Sequence, residues 1–234
     1  VVRSTWDYYA HHQAFLSWSG RVAKVSSLWN NARTLEWNSH KSYLLHLEKK
    51  GIPVVPTVLT QKGIPANLDR IMREQDWSAS IVKPAVSLGA IGVLSVEEGD
   101  PAGQKHLEKL LRSGDVLVQP FVESVRHVGE TSAVFIGGEP THMVRKTPAT
   151  GDFRVQEQYG GTFEQIALDD NLLAIAQRAL DTVAEPLLYA RVDFVEIAGK
   201  PHIMEIELIE PSLYLEIVPS STARFAEAII ARLP

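Results

Sequence analysis

Apolar residues near the start of the chain recur at helical spacing. Phe15, Leu16 and Trp18 predict a helix over residues 9–20. Leu35, Leu44, Leu45 and Leu47 predict helices over 32–50, broken near Trp37-Asn38-Ser39. Asn38 or Ser39 reads as the N-cap of a helix carrying Lys41, and Gly51 as its stop. Downstream the period shortens. Residues 52–57 predict a short strand bounded by prolines, and 80–84, 93–96 and 116–121 predict strands between helices over 67–74 and 102–112. Residues 131–136 and 140–145 flank Gly137-Gly138 and predict a hairpin. A polar loop follows over 147–163, then a helix over 171–185. A second hairpin, 188–197 with 202–209, turns around Ala198-Gly199-Lys200, and a helix over 222–233 closes the chain. Hairpins mixed with helices, without regular βαβ alternation, predict an α+β fold.

Composition narrows the class. The 234 residues are 45% hydrophobic and 22% charged, ordinary for a globular chain and too apolar for a disordered one. No apolar run reaches the ~18–20 residues that span a bilayer, so no membrane partner is expected. The net charge of −5 argues against nucleic acid as a partner. With no cysteine there is no disulfide, zinc–thiolate site or thiol nucleophile, and a reducing cytoplasm fits. The chain opens on Val1-Val2 rather than Met and reads as a segment of a longer protein.

Candidate chemistry concentrates in the second hairpin. Glu205 and Glu207 alternate onto one strand face, about 7 Å apart. If the turn centres on Gly199, Asp193 lies opposite Glu205, and three carboxylates converge. Such like charges repel unless a cation joins them, and an oxygen-only set suits Mg²⁺ or Mn²⁺. A solvated acidic strand face is the plain alternative. Lys83 ends an apolar strand, where a charge usually has a partner. Arg145-Lys146 ends another, so one of the two must face each side, and a single residue of register decides which. Arg154 sits in the loop Gly151-Asp152-Phe153-Arg154. Residues 87–92, with Ser87, Gly89 and Gly92, could bring backbone N–H groups to a phosphate, or could simply turn a hairpin. Gln119-Pro120-Phe121-Val122 follows a strand and could meet a purine edge. Signatures of P-loop NTPases, Rossmann dehydrogenases, zincins and α/β-hydrolases are absent.

Taken in order from Lys41 to Glu210, these pieces resemble the ATP-grasp superfamily. Arg3-Ser4-Thr5-Trp6-Asp7-Tyr8, Trp37-Asn38-Ser39-His40-Lys41, the run from Gly151-Asp152-Phe153-Arg154 to Gly160-Gly161, and Glu205-x-Glu207-Leu208-Ile209-Glu210-Pro211-Ser212-Leu213 look like the branch of cycloserine-forming ligases. That branch is similar to RimK-type and glutathione-synthetase-type ligases. The resemblance implies two α+β subdomains clasping ATP, over 41–122 and 123–234. Residues 1–40 would be a remnant of a largely missing N-terminal Rossmann-like domain. It implies a ligase that forms a C–N bond and releases ADP and phosphate, with two Mg²⁺ (Mn²⁺ substituting) and a small amino-acid-like carboxylate substrate. O-ureidoserine cyclisation is one such reaction. Intermolecular ligation of an amino acid or peptide, or nucleotide binding without turnover, are the alternatives. A homo-oligomer is left open.

By position, Lys41, Lys83, Ser87 and Gly89 would bind the ATP phosphates. Gln119, Phe121 and Val122 would bind adenine, and Glu130 ribose. Asp193, Glu205 and Glu207 would hold metal, and Arg145 and Arg154 would be catalytic. Arg3, Ser4, Thr5, Trp6, Arg154 and Ser212 would bind substrate. Relatives commonly carry Asn where Glu207 stands, so this chain adds a charge there.

Overall fold

The computed structural model describes residues 1–233. Three short helices come first: α1 (His12–Val22), α2 (Ala32–Ser39) and α3 (Tyr43–Lys49). Asn31 caps α2 by accepting from Thr34 N at 3.0 Å. The expected N-cap at Asn38 or Ser39 is not formed, because both lie inside the last turn of α2. Lys41 falls between α2 and α3, and its N–H donates to Ala85 O at 2.8 Å.

A four-stranded antiparallel sheet follows, built from β1 (Val58–Thr60), β2 (Ala79–Pro84), β3 (Leu94–Glu97) and β4 (Val116–Pro120) in the order β1-β4-β2-β3. Helices α4 (Leu68–Glu74) and α5 (Pro101–Leu111) cover it through Leu68, Met72 and Leu107 against Val82, Val96 and Val118. The two layers approach closely at Gly103, where an added Cβ would stand 2.9 Å from both Leu68 Cδ2 and Val96 Cγ1. Residues 52–57 are not a strand. Pro53 and Pro56 lack N–H donors, and only an isolated bridge from Val54 to Ile203 forms.

After the short helix α6 (Ser124–His127) comes a five-stranded antiparallel sheet. It comprises β5 (Glu130–Ile136), β6 (Glu139–Thr147), β7 (Thr162–Ile166), β8 (Tyr189–Ile197) and β9 (Lys200–Glu207), ordered β7-β6-β5-β8-β9. One face packs Ala133, Phe135, Met143 and Val192 against α3 and α7 (Asp170–Leu180). The other packs Val134, Ile136 and Tyr189 against α8 (Ser220–Ile230). Full burial of a side chain such as Leu44 or Leu47 is worth about 1.5–3 kcal/mol. β7 begins at the end of the polar loop expected over 147–163 and runs on through residues 164–166, for which the sequence predicts no element. Its residues are exposed or half-buried, and it is recruited by backbone pairing to β6 alone.

Edge strand β9 is closed off by side chains. Asn38 Nδ2 donates to Ile206 O and Asn38 Oδ1 accepts from Leu208 N, both at 2.7 Å. The Tyr43 hydroxyl donates to Ile206 O at 3.0 Å and accepts from Ile206 N at 2.9 Å. Val55 N and Pro53 O pair with Ile203. These contacts satisfy backbone groups that would otherwise template another strand. They also tie residues 38–55 to the five-stranded sheet.

Both hairpins turn on two residues with positive φ, Gly137-Gly138 (69° and 93°) and Ala198-Gly199 (51° and 71°). The β8–β9 turn therefore centres half a residue before Gly199. Phe194 pairs with Ile203, but Asp193 pairs with Glu205, so Met204 is an extra bulged residue. The bulge restores the opposition of Asp193 and Glu205 that a three-residue turn would have given.

Candidate active site

Strand register brings the charged residues together. Glu130 opposes Lys146, Ser132 opposes Asp193, Arg191 opposes Glu207 and Asp193 opposes Glu205. Their side chains meet in a cleft of about 370 Å³ between the two sheets, and Lys83 on β2 and Lys41 line it as well. Lys146 Nζ lies 2.6 Å from Glu130 and 2.8 Å from Asp193. Asp193 also accepts from Arg191 Nε at 2.9 Å and from Ser132 Oγ at 2.6 Å. Arg191 pairs with Glu207. Lys41 Nζ sits 3.0 Å from Glu205 and donates to Ser87 O at 2.7 Å.

Burial sets the ionisation of this cluster. Desolvation would raise the Asp193 carboxyl, but Arg191 and Lys146 outweigh it and hold it well below the usual carboxylate range. Lys41 and Lys83 do the same for Glu205 against its desolvation. Desolvation wins at Glu207, with Glu205 and Asp193 adding repulsion beyond what Arg191 offsets, and its carboxyl is pushed up to about 7. Desolvation also pushes Lys83 down to about 8. No ion pair holds Lys83 among the described residues, so it is a cation available to an incoming anion. Lys146 is pushed the other way: Asp193 and Glu130 overcome its desolvation and raise it.

The three hairpin carboxylates share the cleft but do not form a ready cage. Each is turned to a cation, and no group of three or more acidic or imidazole side chains is arranged to hold a metal among the described residues. The donor set is nonetheless all oxygen, which fits a hard cation whose remaining ligands are phosphate oxygens and water. Lys41, Lys83, Lys146 and Arg191 balance Glu130, Asp193, Glu205 and Glu207 in number. Lys41, Lys146 and Arg191 are already paired, so a polyphosphate arriving here brings more negative charge than Lys83 alone offsets, and a metal ion arriving with it restores the balance.

Elsewhere the cleft wall is apolar, with Ile81, Phe121, Val122 and Met204. Gln119 is buried and donates through Nε2 to Thr57 Oγ1 at 2.8 Å, and Phe121 N–H donates to Ala79 O at 2.9 Å. Ser87 and Gly89 line the opening, where Gln158 Nε2 reaches Gly89 O at 3.3 Å. Arg154 lines the cleft too, held by Asp152 at 2.7 Å and stacked 3.8 Å from the Tyr159 ring centroid. Glu130 and Ser212 complete the expected residues found here, and Ser212 O accepts from Arg191 at 3.2 Å.

Four expected positions do not line it. Arg145 faces away, because Lys146 takes the cleft side of β6, and its guanidinium reaches only Val128 O at 3.4 Å. Of residues 3–6 only Trp6 is in the wall. Arg3 stacks on the rings of Tyr189 and Phe225 at 5.2 and 5.8 Å, and Ser4 and Thr5 are not in contact with the cleft. Arg191 was not singled out in the sequence. Its signal was there: a cation inside an apolar strand, two residues before Asp193 and so on the same face.

Comparison with known proteins settles the class. Residues 48–221 match the prokaryotic glutathione synthetase ATP-grasp domain. The chain belongs to the ATP-grasp ligases. Residues 1–30 match the N-terminal domain of D-cycloserine synthetase DcsG. The cycloserine biosynthesis protein DcsG of Streptomyces lavendulae is 31% identical over 250 aligned residues, covering all of this chain and 82% of that protein. The crystal structure of D-cycloserine synthetase DcsG superposes with a TM-score of 0.88 at 28% identity, over 99% of this chain and 82% of that one. A glutathione synthetase from Vibrio parahaemolyticus is 27% identical over 185 residues, covering 76% of this chain and 56% of the relative. As an ATP-grasp ligase the chain forms an amide-type C–N bond with release of ADP and phosphate, and ligases of this family use ATP and Mg²⁺. No helix of the described residues is long and apolar enough to cross a membrane.

Proposed function

We propose that this ligase activates the carboxylate of a small amino-acid-like substrate, O-ureido-D-serine, as an acyl phosphate and closes it to D-cycloserine in the cytoplasm. The supporting observation is similarity to DcsG over the whole chain, including the N-terminal segment that contributes Trp6 and Tyr8 to the cleft. A carboxylate is a poor electrophile until its oxygen becomes a phosphate leaving group. Bringing it to a triphosphate opposes two anions, at about 4 kcal/mol per charge pair 4 Å apart in a medium of effective dielectric near 20. Lys41, Lys83, Lys146 and Arg191 lower that barrier by facing the charge as it moves. The aminooxy nitrogen of the same molecule then attacks the acyl carbon and phosphate departs. Water then cleaves the bond between the ring nitrogen and the carbamoyl carbon, and the carbamate released breaks down to carbon dioxide and ammonia. Ring closure within one molecule gains from high effective concentration.

In this reading residues 87–92 close over the phosphates. The 119–122 segment holds adenine, and the Glu130 oxygen not facing Lys146 is available to ribose. Asp193, Glu205 and Glu207 would hold two Mg²⁺, with Mn²⁺ an acceptable substitute. The metal supplies neutralisation of phosphate charge. Residues 41–122 and 123–234 are the two halves of the grasp. Arg154, Trp6 and Ser212 contact the substrate.

Isotope transfer tests the acyl phosphate. With ¹⁸O in the substrate carboxylate, one ¹⁸O should appear in the released phosphate, and unlabelled phosphate sinks the reading. The second reading, ligation to a separate amine, rests on the glutathione-synthetase likeness over 76% of the chain. It requires that amine for ADP release.

A further inference from the structure

Glu130, Asp193, Glu205 and Glu207 each face a cation in the cleft, but the buried Glu210 does not. It is buried, with 8% of its surface exposed, and it lines the cleft. Its Oε2 has no hydrogen-bond partner, and among the described residues no cation stands within ion-pair distance. Lys41 is committed to Glu205 and Arg191 to Asp193 and Glu207, while Arg3 lies over the rings of Tyr189 and Phe225, near enough to feel the Glu210 charge but beyond ion-pair distance of it. A buried carboxylate without a partner is strongly unfavourable unless it holds a proton or receives a cation.

The surroundings say which cation. Tyr8 packs in one cluster with Ile209, and Trp6, Tyr8 and Tyr214 line the same cleft. Glu210 follows Ile209 directly in the chain and lines the same cleft as Tyr8. Aromatic faces attract an ammonium group but give a hard divalent ion no ligands. One free carboxylate oxygen in an aromatic wall is a complement to an ammonium group.

We propose that Glu210 binds the α-ammonium group of the substrate, so that the site selects amino acids over simple carboxylic acids. This rests on the ligase reading above and names the part of the substrate that the phosphate chemistry leaves unspecified. Burial, with Glu207 beside it, pushes the Glu210 carboxyl up to about 8. An arriving ammonium group would displace the proton that the carboxyl otherwise keeps.

The test uses the full chain with Mg²⁺–ATP and reads ADP release for matched pairs: O-ureido-D-serine with 3-(ureidooxy)propanoate, and D-alanine with propanoate. Wild type should favour the ammonium-bearing member in kcat/KM by about 10- to 100-fold, the range for one charge-assisted hydrogen bond. Glu210→Gln should erase that preference through KM, raising it for the amino member and not for its partner. A merely structural role would weaken both members alike, and that result overturns the proposal. So does a wild type with no preference, a measurement that stands even if the variant does not fold. Turnover of D-alanine with O-ureido-D-serine inert would sink the substrate assigned above. Glu210 is then judged with methylamine added to both members, which gives propanoate the nucleophile that D-alanine already carries. A preference that remains supports it, and one that vanishes overturns it. No turnover of any pair would overturn both.

Discussion

Replacing Lys146 with Met removes the cation between two buried carboxylates while keeping an aliphatic stem of similar length. Lys146 Nζ is 2.6 Å from Glu130 and 2.8 Å from Asp193, and the residue is 4% exposed. Asp193 keeps Arg191 and Ser132, whereas Glu130 loses its ion-pair partner. Breaking a buried pair from one side costs about 3–5 kcal/mol. At about 2–4 °C per kcal/mol for a chain of this size, the melting temperature should fall by about 6–20 °C. The neighbouring Arg145→Met is the control. Its guanidinium makes one long hydrogen bond and leaves Nε buried without a partner, so the change should stay within about 1 kcal/mol. Urea unfolding with and without Mg²⁺–ATP reads both effects. Ligand at 100 times its Kd stabilises the protein by about 2.7 kcal/mol, and that gain should survive in Arg145→Met and shrink in Lys146→Met. The reverse pattern would place Arg145 in the cleft and refute the register on which the site is built.

Further outcomes follow from the same geometry. Glu210, raised from 4.5 to about 8, contributes stability that is fully present below pH 4.5 and lost as pH rises toward 8. The melting temperature of Glu210→Gln should therefore fall less than that of wild type over this interval, and parallel curves would count against the assignment. Asp193 behaves oppositely: held below its unfolded value of 3.8, it contributes stability above that pH which acid removes. Asp193→Asn should accordingly narrow the difference from wild type as pH falls below 4 in an acid-unfolding titration. Gly103→Val drives side-chain atoms into Leu68 and Val96 and should cost about 1–3 kcal/mol in urea unfolding; no loss would mean the layers are looser than described. Glu205→Ala should abolish the Mg²⁺-dependent part of the ATP-induced melting shift, and an unchanged shift would remove Glu205 from the metal site.

Much of the fold was legible because local signals and tertiary packing agree. The Gly137-Gly138 hairpin, α4, α5 and the β8–β9 hairpin follow from apolar period and turn chemistry alone. The opposition of Asp193 and Glu205 was read correctly through two details that cancel, a shorter turn and the bulge at Met204. Bulges have no reliable sequence signal, and a one-residue slip would have turned a carboxylate away. Asn38 shows the limit of propensity. Its side chain suits a helix start, but the structure uses the same amide to close the edge of β9, a strand about 170 residues away in sequence. β7 was missed because its five residues mix polar and apolar positions too briefly to predict a strand, and pairing with β6 makes it one. The choice between Arg145 and Lys146 depends on register with β5, a non-local quantity. Glu210 was visible as a residue, but its lack of a partner is a property of packing that no motif carries.

Ring closure within one activated molecule needs no second substrate. The direct measurement is ADP release by the purified chain given Mg²⁺–ATP and O-ureido-D-serine alone, with product masses recorded. Cycloserine formed in equal amount to ADP, with no added amine, is the predicted result. ADP release only after an amine is supplied, with a product that contains both molecules, would contradict it.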